Sequence, residues 1–446
     1  MHTPPPTPLT YATPTTPVSR QYRWWVVFML WFICFFNYAD RQAIYAVFPK
    51  LSSEFGFDAV KLGLIGSAFM WVYAFGAPFA GYIADRVKRT NLILGGCFFW
   101  SVITVTTSWC STLWQFVTVR ALEGLGETFY FPASMSLVSD YHGPETRSKA
   151  LSFHQSSVYA GTILGSWIAA LMAEWGDWRH GFYLFGGCGM VLVIVLMLFL
   201  REPPRAVAVV SEEPRAHRPG NVLEYASAAD QAGRDVAFRT LLKPSAILLM
   251  LAFLCANFVA TIFLTWTPTF LVTKFHFKLS AAGLSGSLFI HLASAIGAPL
   301  GGILADRLRR TASGGRMIVQ AGGLLLGCGF LFLVGTTTSR TVLLVSMTIF
   351  GFGKGLYDSN IFASLYDVVE PRARATAAGI MNTVGWGGGA LGPLAVGWFT
   401  RHGRYTSEVD NMSHAIAATS VVYVVAAILL MIVAFRLVRA DQIDAK

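Results

Sequence analysis

Charge is scarce in this sequence. Asp, Glu, Lys and Arg make up 13% of its 446 residues, where a domain that solvates its own surface carries about 25%. So little polar surface cannot clothe a globule in water, and lipid becomes the missing solvent. Cysteine is scarce too. The six residues (Cys34, Cys97, Cys110, Cys188, Cys255, Cys328) fall singly inside apolar runs, without the pairing or spacing of a disulfide framework or metal site. No phosphate-binding loop occurs, which excludes transport driven directly by ATP hydrolysis. The short loops hold no nucleophile–base constellation, so no enzyme and no cofactor are expected. The apolar runs are continuous rather than alternating, which argues against a β-barrel. Residues 1–19 contain no Asp, Glu, Lys or Arg and lack the plan of a signal peptide; they read as a disordered cytoplasmic tail.

What is present is a series of apolar runs about 20 residues long, the length that crosses a hydrocarbon core as a helix. Six fall at Trp24–Pro49, Val60–Ala84, Asn91–Cys110, Leu113–Val138, Ala150–Ala173 and Phe182–Leu200. Six more fall at Ser245–Thr273, Ala281–Ala305, Met317–Gly335, Thr341–Val368, Thr376–Phe399 and Ala415–Phe435. The expectation is an all-α membrane protein with a six-helix half at 20–200, a polar cytoplasmic linker at 201–243, a second half at 244–437 and a short tail at 438–446. The net charge of +10 sits in short loops rather than a stripe, so nucleic acid is not expected as a partner. Arg20, Arg23, Lys88, Arg147, Lys149, Arg309, Arg374, Arg436 and Arg439 all fall on one side, which places both termini in the cytoplasm by the positive-inside rule. A monomer in the cell (inner) membrane is expected.

The two halves repeat one another. Gly76–Arg89 reads GAPFAGYIADRVKR and Gly297–Arg310 reads GAPLGGILADRLRR, with eight of the fourteen positions identical. Gly124, Gly126, Tyr130 and Arg147 of the fourth span correspond to Gly351, Gly353, Tyr357 and Arg374 of the tenth. Parallel six-helix repeats of this kind build one large class of secondary transporters.

Charges inside the runs carry the chemistry. A charged side chain at mid-bilayer costs at least about 2.5–3.5 kcal/mol, so each needs a partner or a watery cavity. Asp40 and Arg41 are adjacent in the first span. Arg120, Glu123 and Glu127 recur at intervals of three and four in the fourth span, on one helical face. The first pair is answered in the seventh span only by Ala260 and Thr261, an asymmetry that mere helix packing would not require. A guanidinium grips a carboxylate with two parallel hydrogen bonds, and a carboxyl in a partly desolvated cavity can take and release a proton. Arg41 and Arg120 are thus candidate anchors for an anionic substrate, and Asp40, Glu123 and Glu127 candidate proton carriers, with a proton gradient, or Na⁺ in its place, as driving force. Tyr38, Tyr45, Tyr73, Gln155 and Asn382 are candidate substrate contacts. Lys354, Asp358 and His154 form a second tier. The glycine-rich stretch Gly385–Pro393 suits either a flexing cavity helix or close packing.

Gly81-x-x-x-Asp85-Arg86-x-x-Arg89, repeated as Asp306, Arg307 and Arg310, together with Arg120-x-x-x-Gly124, resembles the signature motifs of the major facilitator superfamily. The resemblance implies that these acid–base loops act as gates in alternating access. Within that superfamily, Asn37-Tyr38-x-Asp40-Arg41 and Gly126-Glu127 are similar to the anion:cation symporter family, which implies proton-coupled transport of sugar acids and related organic anions. Spinster-like transporters share both patterns and imply a lysolipid or sphingolipid substrate instead.

Overall fold

The computed structural model describes residues 19–84, 87–202, 242–370 and 373–441. Among them every regular element is helical and no strand occurs. The first half contains α1 (Arg20–Ala46), α2 (Phe48–Phe55), α3 (Ala59–Ala84), α4 (Arg89–Thr107), α5 (Leu113–Thr128), α6 (Tyr130–Tyr141), α7 (Pro144–Trp175) and α8 (Arg179–Phe199). The second contains α9 (Pro244–Phe275), α10 (Leu279–Arg309), α11 (Gly315–Thr336), α12 (Arg340–Asp358), α13 (Ile361–Val368), α14 (Arg374–His402), α15 (Glu408–Ile432) and, beyond a single π-helical turn at Val433–Leu437, α16 (Val438–Asp441). Taking α5–α6 and α12–α13 as broken single spans, this is twelve spans in two six-span halves. The expected tail before residue 19, the linker between 202 and 242, and Asp85 and Arg86 of the gating motif lie outside the described residues.

Among the described residues, eight helices are long and apolar enough to cross a membrane by length and composition alone. The spans that fall short are the first, fourth, tenth and eleventh. The first and fourth carry the buried charges, the tenth carries Lys354 and Asp358, and the eleventh carries the glycine run. Lipid-facing helices are apolar all round, whereas helices lining a watery cavity need not be.

Local sequence sets the helix ends. Thr112 and Gln115 form a reciprocal capping box at the start of α5, and Ser19, Ser339 and Ser407 accept backbone N–H groups at the starts of α1, α12 and α15. Pro144 and Pro244 open α7 and α9, where a missing N–H costs nothing. The repeat persists in the backbone: Gly56 closes α2 at φ 63° and His276 closes α9 at φ 52°. These two positions correspond in the two halves, so the left-handed turn is kept although its residue is not.

One hydrophobic core runs through both halves, joining Phe48, Leu62 and Ile65 to Trp266, Phe270 and Val396. A second core, built on Val26, Leu30, Trp100 and Leu196, belongs to the first half alone. The halves meet tightly at the face opposite the termini. A Cβ on Gly63 would stand 2.6 Å from the Pro393 carbonyl oxygen, so only glycine lets α3 approach α14 this closely. Glu174 of α7 accepts the Ser280 backbone N–H of α10 at 2.8 Å on the same face.

Candidate functional site

The site forms where α1 and α5 face α3. The three-and-four spacing turns Arg120, Glu123 and Glu127 inward, and all three are buried, as are Asp40 and Arg41. Asp40 and Arg41, being neighbours, point different ways. Asp40 turns toward α4, where the Thr104 hydroxyl donates to it at 3.1 Å, and it also takes the Arg41 backbone N–H at 2.7 Å. Arg41 turns to the cavity. Its Nε donates to Glu127 Oε2 at 3.0 Å, its Nη2 donates to the same oxygen, and Nη2 reaches Asn37 Oδ1 at 3.4 Å. Arg120 Nη1 donates to Glu123 at 2.5 Å and its Nη2 to the Tyr45 hydroxyl at 3.4 Å.

The three acids converge, with one carboxylate oxygen from each of Asp40, Glu123 and Glu127 within 4.8 Å of the others. Three carboxylates face two guanidiniums, so the fully ionised cluster carries one net negative charge. A buried net charge is costly unless neutralised. Glu127 Oε1 is buried without a hydrogen-bond partner, as is Arg120 Nε. The cluster is therefore held together but not saturated.

Phe69 of α3 ties the two arginines together. Its ring lies under both guanidiniums, with Cζ–centroid distances of 4.5 Å to Arg41 and 4.9 Å to Arg120, a favourable arrangement for cations in a desolvated setting. Gly124 makes this possible: a Cβ there would stand 2.6 Å from the Phe69 carbonyl oxygen. Tyr38, Tyr73 and Trp386 complete an aromatic collar around Arg41 at 4.5, 5.3 and 5.7 Å.

A cavity of about 190 Å³ opens beside this cluster, lined from the first half by Tyr38, Arg41, Tyr45, Gln155 and Tyr159 and from the second by His291, Lys354, Asp358 and Trp386. An adjoining lobe of about 170 Å³ shares His291, Lys354 and Trp386 and extends to Asn257 and Thr261. Lys354 is ion-paired to Asp358. Asn382 is half-buried one turn before Trp386 on α14.

His154 lies elsewhere. It is wholly buried in the first half, its Nε2 3.0 Å from the Tyr130 hydroxyl. That hydroxyl donates to the Leu30 carbonyl at 2.7 Å, so the histidine serves packing rather than the cavity. The glycine run of α14 does not interrupt its helix; a Cβ on Gly385 or Gly388 would collide with Phe253 or Leu254 of α9, which is close packing. The breaks fall instead in the fourth and tenth spans, at Phe129 and at Ser359–Asn360.

Of the gating residues, Arg89 pairs with Asp140 and donates to Ser136 at 2.9 Å. Asp306 lies 3.5 Å from Arg316, while Arg307 and Arg310 form no ion pair among the described residues. Asp367, the counterpart of Asp140, takes Arg309 at 3.0 Å and Arg316 at 2.7 Å. Asp140 and Asp367 escape a reading centred on the loop motif, although the same register that aligns Gly124 with Gly351 aligns them. Phe69, His291 and Trp386 carry no sequence signal of their own. On the face opposite the termini, Arg179 donates to Glu54 at 2.7 Å, and that hydrogen bonding holds the Glu54 carboxyl below its ordinary range.

The family model for the Major Facilitator Superfamily matches residues 30–393 and 292–442. The chain belongs to the Major Facilitator Superfamily. Like its relatives in that superfamily, it is an integral membrane transporter and not an enzyme. It is 27% identical over 401 residues to the "Probable galactarate/D-glucarate transporter" of Escherichia coli, covering 84% of this chain and 86% of that one. It is 30% identical over 372 residues to "Protein spinster homolog 1" of Homo sapiens, covering 79% of this chain and 68% of that one. Its fold matches the crystal structure of a bacterial homolog of the human lysosomal transporter Spinster, in an inward-facing and unoccupied conformation. That match has a TM-score of 0.80 and 22% identity, covering 96% of this chain and all of the other.

Proposed function

We propose that this superfamily member is a proton-coupled symporter of a small organic anion of the sugar-acid class, working by alternating access in a cell membrane with both termini cytoplasmic. The observation that carries the reading is the charge count of the buried cluster: two guanidiniums against three mutually close carboxylates. One proton neutralises the empty site. When a substrate carboxylate takes Arg41 from Glu127, the released acid holds a proton in its turn, and thermodynamic reciprocity makes the proton favour substrate equally. No cofactor enters this scheme. Galactarate and D-glucarate, named for the E. coli relative, carry the carboxylates and hydroxyls that arginines, Tyr38, Tyr45, Tyr73, Gln155 and Asn382 would recognise. The acid–base loops at Asp85, Arg86, Arg89, Asp306, Arg307 and Arg310 act as gates that exchange partners as the halves rock.

The test uses purified protein in liposomes. Galactarate or D-glucarate should exchange across the membrane, and an imposed proton gradient, acid on the side of uptake, should accumulate it until a protonophore collapses the gradient. Accumulation that follows a Na⁺ gradient at constant pH would assign the cation site to Na⁺. Failure to exchange either acid would remove the sugar-acid reading.

A second reading, a lipid-like substrate, draws on the spinster relative and on an apolar groove of about 690 Å³ between α9, α14 and α15, lined by Phe258, Trp398, Phe399 and Val422. The groove does not include Arg41 or Arg120. Lysophospholipid transport that survives loss of either arginine would favour it.

A further inference from the structure

The second half contributes its own polar groups to the cavity, and the charge cluster of the first half does not use them. Lys354 occupies the position that Glu127 holds in the repeat, so the two halves present opposite charges at equivalent places. Its ammonium has three N–H donors, of which one serves Asp358. The side chain keeps 24% of its surface accessible, and it borders both lobes. An i,i+4 pair that is partly wet contributes little to helix stability, and far less than the cost of placing a lysine at this depth.

His291 of α10 borders both lobes as well. Its Nδ1 lies 2.8 Å from the Ser287 carbonyl oxygen. A carbonyl can only accept, so Nδ1 carries the proton and Nε2 of the neutral ring is an acceptor. That nitrogen has no hydrogen-bond partner among the described residues. The Tyr159 ring stands edge-on to His291 at 6.0 Å. Trp386 borders both lobes and also lies against Arg41, so one apolar wall runs from the guanidinium of the first half to the ammonium of the second. The two lobes between them just reach the size of an ordinary small-molecule site, about 300–1,000 Å³.

From this geometry we infer that the site is built for a substrate with an anionic group at each end, a hydroxylated dicarboxylate that bridges the halves. One carboxylate binds Arg41, the guanidinium that borders the cavity. The other binds the free N–H groups of Lys354, and the hydroxyl beside it donates to His291 Nε2. The inference rests on the sugar-acid reading and narrows it from anions in general to dianions. A substrate with one charged end fills only the first half of the site and leaves Lys354 to Asp358.

Galactarate and galactonate share one carbon skeleton and differ in a single end, carboxylate against hydroxymethyl. Binding of each to the purified full-length protein is measured by calorimetry. The wild type should prefer galactarate by about tenfold or more. The double variant Lys354→Ala/Asp358→Ala, which leaves no orphaned charge, should shrink that preference to within about twofold, and Lys354→Arg should retain most of it. A purely structural role for the pair would weaken both acids by the same factor and leave the ratio intact, which would overturn the inference. Equal affinity for the two acids in the wild type would overturn it as well while leaving the sugar-acid reading standing. Binding of neither acid would overturn both.

Discussion

The two halves descend from one pattern but spend their interiors differently. Where the first half buries Asp40, Arg41, Arg120 and Glu123, the second places Ala260, Thr261, Met347 and Phe350. Phe350 stacks on Phe263 at 4.6 Å and on Tyr423 at 5.7 Å, and the Thr261 hydroxyl donates to the Gly389 carbonyl at 2.7 Å. A space that holds an ion cluster in one half is filled by aromatic rings in the other. The buried cluster of carboxylates and guanidiniums therefore sits in the first half, while the second borders the cavity with a wall of rings and the ion pair of Lys354 and Asp358. The lesson is that a duplicated scaffold keeps its backbone geometry, as Gly56 and His276 do, while its buried charge is free to diverge.

This contrast can be broken most sharply at Glu127. Glu127→Gln imitates a permanently protonated acid, so it should still exchange substrate across liposomes yet lose all proton-driven accumulation. Accumulation that persists would move the proton to Asp40 or Glu123. Next in size are the arginines: Arg41→Ala and Arg120→Ala leave a carboxylate unmatched and should each cost about 2–5 kcal/mol, more than about thirtyfold in substrate affinity. Lysine at either position keeps the charge but not the planar fork and should recover only part of the loss. Unchanged affinity in both alanine variants would end the anion-anchor role.

In the aromatic core of the second half the expected damage is to folding and not to chemistry. Phe350→Ala removes a ring from a filled core and should cost about 3–5 kcal/mol of stability, read as a lower thermal midpoint, with proton coupling intact in the protein that remains folded. A loss of coupling without a loss of stability would blur the division between the halves. The smallest effect is expected at the rim, at Glu54. Its carboxyl titrates below its ordinary range because Arg179 donates to it. A depressed acid stabilises the fold above the ordinary glutamate value, about 4.3, and loses that contribution as pH falls through its folded value. Glu54→Gln should therefore lower the thermal midpoint slightly at pH 7, by an amount that shrinks as the pH is lowered through the acid range, since partly exposed ion pairs contribute little.

Much of this was readable from the chain. Apolar runs gave the twelve spans because lipid demands them, and the spacing of Arg120, Glu123 and Glu127 put three charges on one face because a helix has no other way to arrange them. The rest was hidden for physical reasons. Phe69, His291 and Trp386 stand on helices apolar on nearly every side, where rotation about the axis leaves no imprint on composition. The breaks at Phe129 and Ser359–Asn360 occur without a proline or glycine at the break itself. Asp140 and Asp367 belong to no motif in the sequence, and their partners come from other helices.

One helix touches every part of this machine. At 26 residues, α3 is about 39 Å long, enough to cross the bilayer as a single rod. Near one end Gly63 rests on the Pro393 carbonyl; at its middle Phe69 lies under both guanidiniums; and its other end carries Gly81, the first residue of the gating motif. If the arginines hold substrate as proposed, a tilt of α3 about its middle would move its two ends in opposite directions, and one binding event would be felt at both ends of the rod.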